Sequence, residues 1–465
     1  LQITNWGWLP NLINEEATGL VDLVAAEVED DIRLYSQLAE EAAAGGREQD
    51  YRRAASFRKV ERTVRDRDLL NYFGQKNILP KYGFPVDVVE LRTDHIPDEV
   101  AGKVQLQRDL RMAIAEFAPG SQLVAGKRMF TGGGLYKQPN KNWETVQFAI
   151  CKRCRRFNRQ KGVQPITHCS ACGEGIASNV PFYSGEMIRP EFGFVSQYQR
   201  KLPVAGNKRP VRLYSSRVYF DDYHVPDHLA NQLGPDDHNE ALALVPEVST
   251  ARAEIRARYS RFGQLALVNH GPEGRGFRVC QNCGYADGET KPPVVGGRRR
   301  RGSAPSKHKN PRTNMDCTGF MKTYRLGHEF LTDVLEIQIN GPLVQQVAAP
   351  EGKDMWRSLL YALLEGSSNA LGIRRTDLNG TVYYPTATQP PSLVLYDDVP
   401  GGAGHVRRIR GALETIFQAA HDRLDSCECG LETACHECLW NFYNQPFHDT
   451  LSRGAALSML SGLIR

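Results

Sequence analysis

The sequence has little that would take it into a membrane or mark it as a nucleotide-driven motor. No apolar run approaches the roughly 18 residues of a membrane span, although 41% of the 465 residues are hydrophobic. No basic stretch followed by a short apolar core marks a secretory signal. A phosphate-binding loop needs two glycines four residues apart, then Lys and Ser or Thr. The nearest approach, Gly120 to Gly126-Lys127, has five intervening residues, and Arg128 stands where the magnesium-binding hydroxyl belongs. A convincing acidic helicase box and the H-x-K phospholipase-type signature are also missing. These absences predict a chain that is neither an ATPase nor any other enzyme. The chain starts at Leu1 without an initiator methionine, so the native start is expected upstream.

What is present is cysteine. There are eleven, an odd number, and most sit in C-x2-C pairs. Without a secretion signal this pattern favours zinc over disulfides, and a reducing cytoplasm as the setting. Cys151 and Cys154, then Cys169 and Cys172 fourteen residues later, have the spacing of a zinc ribbon. Each pair presents two thiolates to one ion, and two pairs complete a tetrahedron. Cys280 and Cys283 open a second site, for which Cys317 and His308 are the economical completion, the alternative being that His308 is a solvated histidine of the basic loop. Cys427, Cys429, Cys435 and Cys438 place four thiolates within twelve residues and form a third. Three zinc ions are expected.

Charge is distributed unevenly around these sites. The net charge of +5 permits a nucleic-acid partner without requiring one. Lys152, Arg153, Arg155, Arg156, Arg159 and Lys161 crowd the first ribbon without a neighbouring acid in sequence. They either offset the thiolate charge or contact nucleic-acid phosphates. Lys291 to Arg312 holds Arg298, Arg299, Arg300, Arg301, Lys307 and Lys309, again without an acid. Its Gly, Pro and Ser content predicts a loop, either solvated or in contact with DNA. The last cluster instead carries Glu428, Glu432 and Glu437, so its zinc is read as a fold clamp.

The remaining pattern is mixed α/β, multidomain. Residues 1–78 read as helical. Residues 79–275 form a mixed domain carrying the ribbon at 151–172, and residues 276–465 an α/β domain carrying the other two sites. Val86, Val88 and Val89 favour a strand ending at Leu91. Leu106 to Phe117 and Ala251 to Tyr259 read as helices. Phe192 to Val195, Val211 to Tyr214, Val218 to Phe220, Leu265 to Val268 and Leu326 to Ile337 read as strands. On the last of these, His328 and Glu329 face opposite sides and do not converge on a catalytic site. Asp354 begins a helix reaching Leu371, and Val382 to Tyr384 follows as a strand. Leu393 to Tyr396 is a buried strand, followed by a glycine-rich turn and one amphipathic helix from Val406 to Leu424. Asp397 and Asp398 in that turn either cap backbone N–H groups or hold a magnesium ion for a nuclease.

The run from Tyr396 through Asp397, Asp398, Val399 and Pro400 to Gly404 carries a resemblance. So do the four following cysteines, Asn444, Gln445 and His448, and the Leu79 to Leu91 stretch. Together they resemble the C-terminal domain appended to a group of superfamily 2 DNA helicases. They also resemble DISARM protein B, a component of a bacterial antiphage system. With no ATPase motif in hand, the second resemblance is preferred. It implies a non-catalytic subunit that partners a separate helicase, DISARM protein A. The pair would engage DNA and help restrict phage, without a membrane or small-molecule substrate.

Overall fold

Ala, Arg and Glu between residues 251 and 259 are helix formers, yet the computed structural model makes this stretch a strand, Glu254–Asn269. The reason lies in its period. Ile255, Ala257 and Tyr259 are buried, while Glu254 and Arg256 are exposed. The inward set meets Ile339, Ile337 and Leu335 across an antiparallel ladder. Helix propensities differ by only tenths of a kcal/mol per residue. Burying one large aliphatic side chain is worth about 1.5–3 kcal/mol, so the cross-strand core decides.

The structure describes residues 13, 19–66, 88–138, 142–206, 216–225, 240–287, 307–347, 353–386, 388–399 and 402–464. Arg298 to Arg301, Val211 to Tyr214 and residues 79–87 of the expected strand lie outside them. Two compact units are present, Leu1–Asp87 and Val88–Arg465. In the first, helices Leu20–Ala44 and Glu48–Arg65 pack through Tyr35, Ala39, Phe57, Val60 and Val64.

In the second unit, eleven strands among the described residues join one sheet. Its spine is Met321–Asn340. Along its length this strand pairs with Phe277–Cys280, Ser184–Ile188, Glu254–Asn269 and Ser392–Asp397. The segments expected as separate domains, 79–275 and 276–465, therefore share one sheet. Helices Lys353–Leu371, Leu413–Asp425 and Arg453–Leu463 contribute with it to the largest core, through Leu359, Leu363, Phe417 and Leu460. Asp354 falls inside the first of these helices rather than ahead of it.

A smaller five-stranded sheet includes Val88–Arg92 and Arg128–Leu135. The triple glycine 132–134 lies in the latter strand. A Cβ on Gly132 would meet the Ala118 carbonyl at 2.4 Å, and one on Gly133 the Gln197 backbone at 2.7 Å. Close backbone packing explains these glycines. The expected helix at 106–117 begins as strand Gln107–Asp109 and turns helical at Leu110–Glu116, where Asp109 caps the Arg111 N–H at 2.9 Å. The single helix expected from Val406 to Leu424 is two, His405–Arg410 and Leu413–Asp425, parted at Gly411.

Candidate metal centres

The first tetrad sits beyond a hairpin of strands Thr145–Ile150 and Phe157–Lys161. Each C-x2-C turn is closed by its own backbone: Arg155 N–H donates to the Cys151 carbonyl and Gly173 N–H to that of Cys169, both at 2.9 Å. The sulfurs then converge. Cys151 and Cys172 are 3.6 Å apart, Cys154 and Cys169 3.5 Å. In the third tetrad, Cys427 to Cys435 is 3.5 Å and Cys429 to Cys438 is 3.7 Å. In the second, Cys280 and Cys317 are 3.9 Å apart, and Cys283 Sγ is 3.2 Å from His308 Nε2. Strand pairing sets His308 opposite Cys317, and the Tyr285 ring stacks on its imidazole at 4.7 Å.

These distances test the fit of a metal. Disulfide sulfurs lie about 2.05 Å apart. A tetrahedron of thiolates about 2.3 Å from zinc has sulfurs roughly 3.8 Å apart. All ligand atoms of each group lie within 4.8 Å of one another. Burial pushes the Cys154 thiol up from its ordinary range, and a dication relieves the cost of gathering four thiolates there. The residues of all three groups fit zinc. Each supplies four protein ligands, the closed coordination of structural zinc.

The basic residues of the first ribbon find acids that the local sequence does not show. Arg159 forms a fork on Glu329 and lies 3.6 Å from Asp221. Arg156 donates to the Asp221 carbonyl at 2.9 Å and stacks 4.8 Å from the Tyr383 ring centre. Arg155 lies 6.0 Å from that of Tyr384. Arg153 is 3.5 Å from Glu174, and Lys307 and Lys309 both pair with Asp316. Lys152 and Arg153 remain exposed.

The two aspartates of the glycine turn are also occupied. The Asp397 carboxylate accepts N–H groups from Ala403, His405 and Val406 at 2.6, 3.0 and 2.9 Å. Asp398 is bound by Arg111. Beside them, Asp333 Oδ2 accepts from the Tyr259 hydroxyl and Gly404 N–H, each at 3.2 Å. Gly402 has φ 77°, and a Cβ there would meet the Asp333 carboxylate at 2.2 Å. Only glycine fits the turn. A two-carboxylate magnesium site is not what this geometry builds. Sequence reasoning did not join Arg111 to Asp398, Glu329 to Arg159 or Asp333 to Tyr259, because each pair is more than seventy residues apart in the chain.

The fold and its sites define a zinc-binding protein of mixed α/β architecture. Residues 359–439, from the helical layer to the last tetrad, match the MrfA Zn-binding domain family. Over 428 residues, 84% of the chain, it is 26% identical to Druantia protein DruE of Escherichia coli (strain UMEA 4076-1), covering 22% of that protein. Two solved structures of the DUF1998 helicase MrfA each match 80% of the chain. The one bound to DNA has a TM-score of 0.32 at 11% identity, over 33% of its chain. The one bound to DNA and AMPPNP has 0.24 at 12%, over 38%. The chain thus spans about a fifth of the curated relative and about a third of the solved chains.

The alignment with the Druantia protein overturns the expectation that the chain is not an enzyme, because that expectation rested on motifs absent from a fifth of the relative's length. Missing P-loop and acidic motifs in a stretch that spans 22% of its relative exclude no activity of the protein. No described helix is long and apolar enough to cross a membrane.

Proposed function

We propose that this chain is a zinc-braced, DNA-engaging body of a helicase-type protein that defends against phage. The observation that carries this reading is the MrfA Zn-binding domain at 359–439, embedded in the long alignment with a Druantia protein. Closed zinc sites support it too, because they stiffen a surface rather than offer an open coordination position. The body and a helicase motor act as one machine, on one polypeptide or with a companion of the DISARM protein A kind. Lys152 and Arg153 supply phosphate contacts beside the first ribbon, with Arg155 and Arg156 behind them. Arg298 to Arg301, Lys307 and Lys309 supply a second set.

The test has two parts. Zinc-loaded protein binds labelled DNA in fluorescence anisotropy, with affinity that falls steeply as salt rises. In its natural genomic setting, Cys438→Ser abolishes protection against phage in plating assays. Salt-insensitive or absent binding, or full protection by the variant, would overturn the reading.

A further inference from the structure

The turn before strand Ser184–Ile188 holds two aromatic rings outward. Phe182 and Tyr183 are adjacent, and 36% and 41% exposed. Phe182 has φ 62°, a left-handed conformation that bulky residues rarely adopt and that clusters at functional sites. The turn is nevertheless fixed. Tyr183 N–H donates to the Val180 carbonyl at 3.0 Å, and the Tyr183 carbonyl accepts from Ile150 N–H at 2.6 Å.

Tyr183 borders a cleft of about 480 Å³, lined also by Ile150, Lys152, Arg153, Ile176 and Val180. That volume lies within the roughly 300–1,000 Å³ of small-ligand pockets. Lys152 and Arg153 come from the first C-x2-C turn of the ribbon, so the zinc holds one wall. Lys152 Nζ stands 5.3 Å from the Tyr183 ring centre, and the Arg217 guanidinium 5.0 Å from that of Phe182. Behind the turn, Arg325 is 1% exposed. Its acceptors are neutral, Asn179 Oδ1 and the Gly274 carbonyl, both at 3.4 Å, and its Nε has no partner among the described residues. Glu174 is the acid in the cleft lining, and Arg153 already engages it.

An exposed aromatic face, an apolar floor and cations at the rim are the parts that bind unpaired nucleic acid. The base stacks and the phosphate meets a positive charge. Paired bases hide their faces within the helix, so a ring like Tyr183 discriminates between the two forms. We propose that the cleft beside the first zinc ribbon seats an unpaired nucleotide of single-stranded DNA, its base on Tyr183 and its phosphate against Lys152 and Arg153. This rests on the DNA engagement proposed above and names the form of DNA that this face takes.

Anisotropy titrations of the zinc-loaded chain with a labelled oligothymidylate and with a blunt duplex of equal length test it. Tyr183→Ala weakens oligothymidylate binding about ten-fold and leaves duplex binding unchanged. Tyr183→Trp retains both. Zinc content per chain, unchanged in both variants, reports that the fold is intact. A 5-iododeoxyuridine oligonucleotide photocrosslinked to the wild-type chain attaches within residues 150–183, as read by mass spectrometry. Unchanged oligothymidylate binding by Tyr183→Ala, equal loss on both DNAs, or crosslinks confined to other segments would overturn the cleft alone. A wild-type chain that binds neither DNA would overturn the DNA reading together with it.

Discussion

The Arg111 guanidinium reaches Asp398 twice, donating from Nη1 to its backbone carbonyl at 2.8 Å and to its carboxylate at 2.9 Å. It also bonds Asp109 and lies 5.5 Å from the Phe330 ring centre. One side chain from the helix Leu110–Glu116 thus holds the turn that follows strand Ser392–Asp397. Arg111→Met is expected to lower the unfolding free energy by about 1.5–3 kcal/mol, the worth of hydrogen bonds to a charged group. Arg111→Lys recovers only part of it, because an ammonium lacks the planar fork. Urea denaturation reads both. An unshifted midpoint in Arg111→Met would show that water serves Asp398 equally well.

Asp397 spends its carboxylate on three N–H groups of the chain that follows it. Asp397→Asn leaves one carbonyl oxygen for those donors. A loss of about 1–3 kcal/mol is expected from the donors left short, seen as a lower melting temperature. Incubating the protein with DNA and magnesium should give no cleavage that depends on this residue. A nick on a gel that disappears in the variant would return the aspartates to a catalytic role.

Asp333 makes stability depend on pH. Burial, with Asp397 adding to it, raises this carboxyl from 3.8 to about 6. The folded chain therefore holds the proton more tightly than the unfolded chain. Stability from this group is fully present below about pH 4 and declines as pH rises through 6, by roughly 3 kcal/mol at the limit. Asp333→Asn cannot ionise and keeps an acceptor for Tyr259 or Gly404. It should be more stable than the parent at neutral pH and flatter between about pH 4 and 6. Thermal melts across that range decide, and a slope identical to the parent's would remove Asp333 as its source.

The three zincs should differ in what their loss does. Elemental analysis should give three per chain, and one fewer in Cys154→Ser or Cys438→Ser. Cys427 and Cys438 belong to the main core, alongside Leu424 and Leu439. Cys151, Cys154 and Cys169 form a small cluster of their own. Structural zinc is worth roughly 10–16 kcal/mol where folding depends on it. Cys438→Ser should therefore abolish the cooperative transition of the C-terminal layer. Cys154→Ser should leave that transition near the parent's temperature. Circular dichroism melts distinguish them, and equal damage from both would show that the ribbon braces more than itself.

The C-x2-C turns were legible because their geometry is local: two cysteines three positions apart form one turn whatever the rest of the chain does. The strands at 326–337 and 393–396 were legible for a similar reason, since each carries its own apolar run. Residues 251–259 were not. Their composition favours a helix, and the alternation that opposes it gains meaning only beside Ile337 and Ile339, some eighty residues on. The basic ribbon shows the same limit. Arg159 stands apart from any acid in sequence, yet Glu329 lies across the sheet, 170 residues away. Charge read along the chain overestimates what is free to meet a phosphate.

Met321–Asn340 pairs with Cys280 of the second zinc centre at one end, and leads into helix Pro342–Val347 at the other. Twenty residues at about 3.3 Å each make a strut of roughly 65 Å. Neighbours pair with it along its length, and on both edges at Leu326 and Val334 to Ile337, so it has little freedom to bend or slide there. A load applied at the metal end is carried to the helical end as displacement instead of being dissipated in loops. A body built this way keeps its far surfaces in register under load.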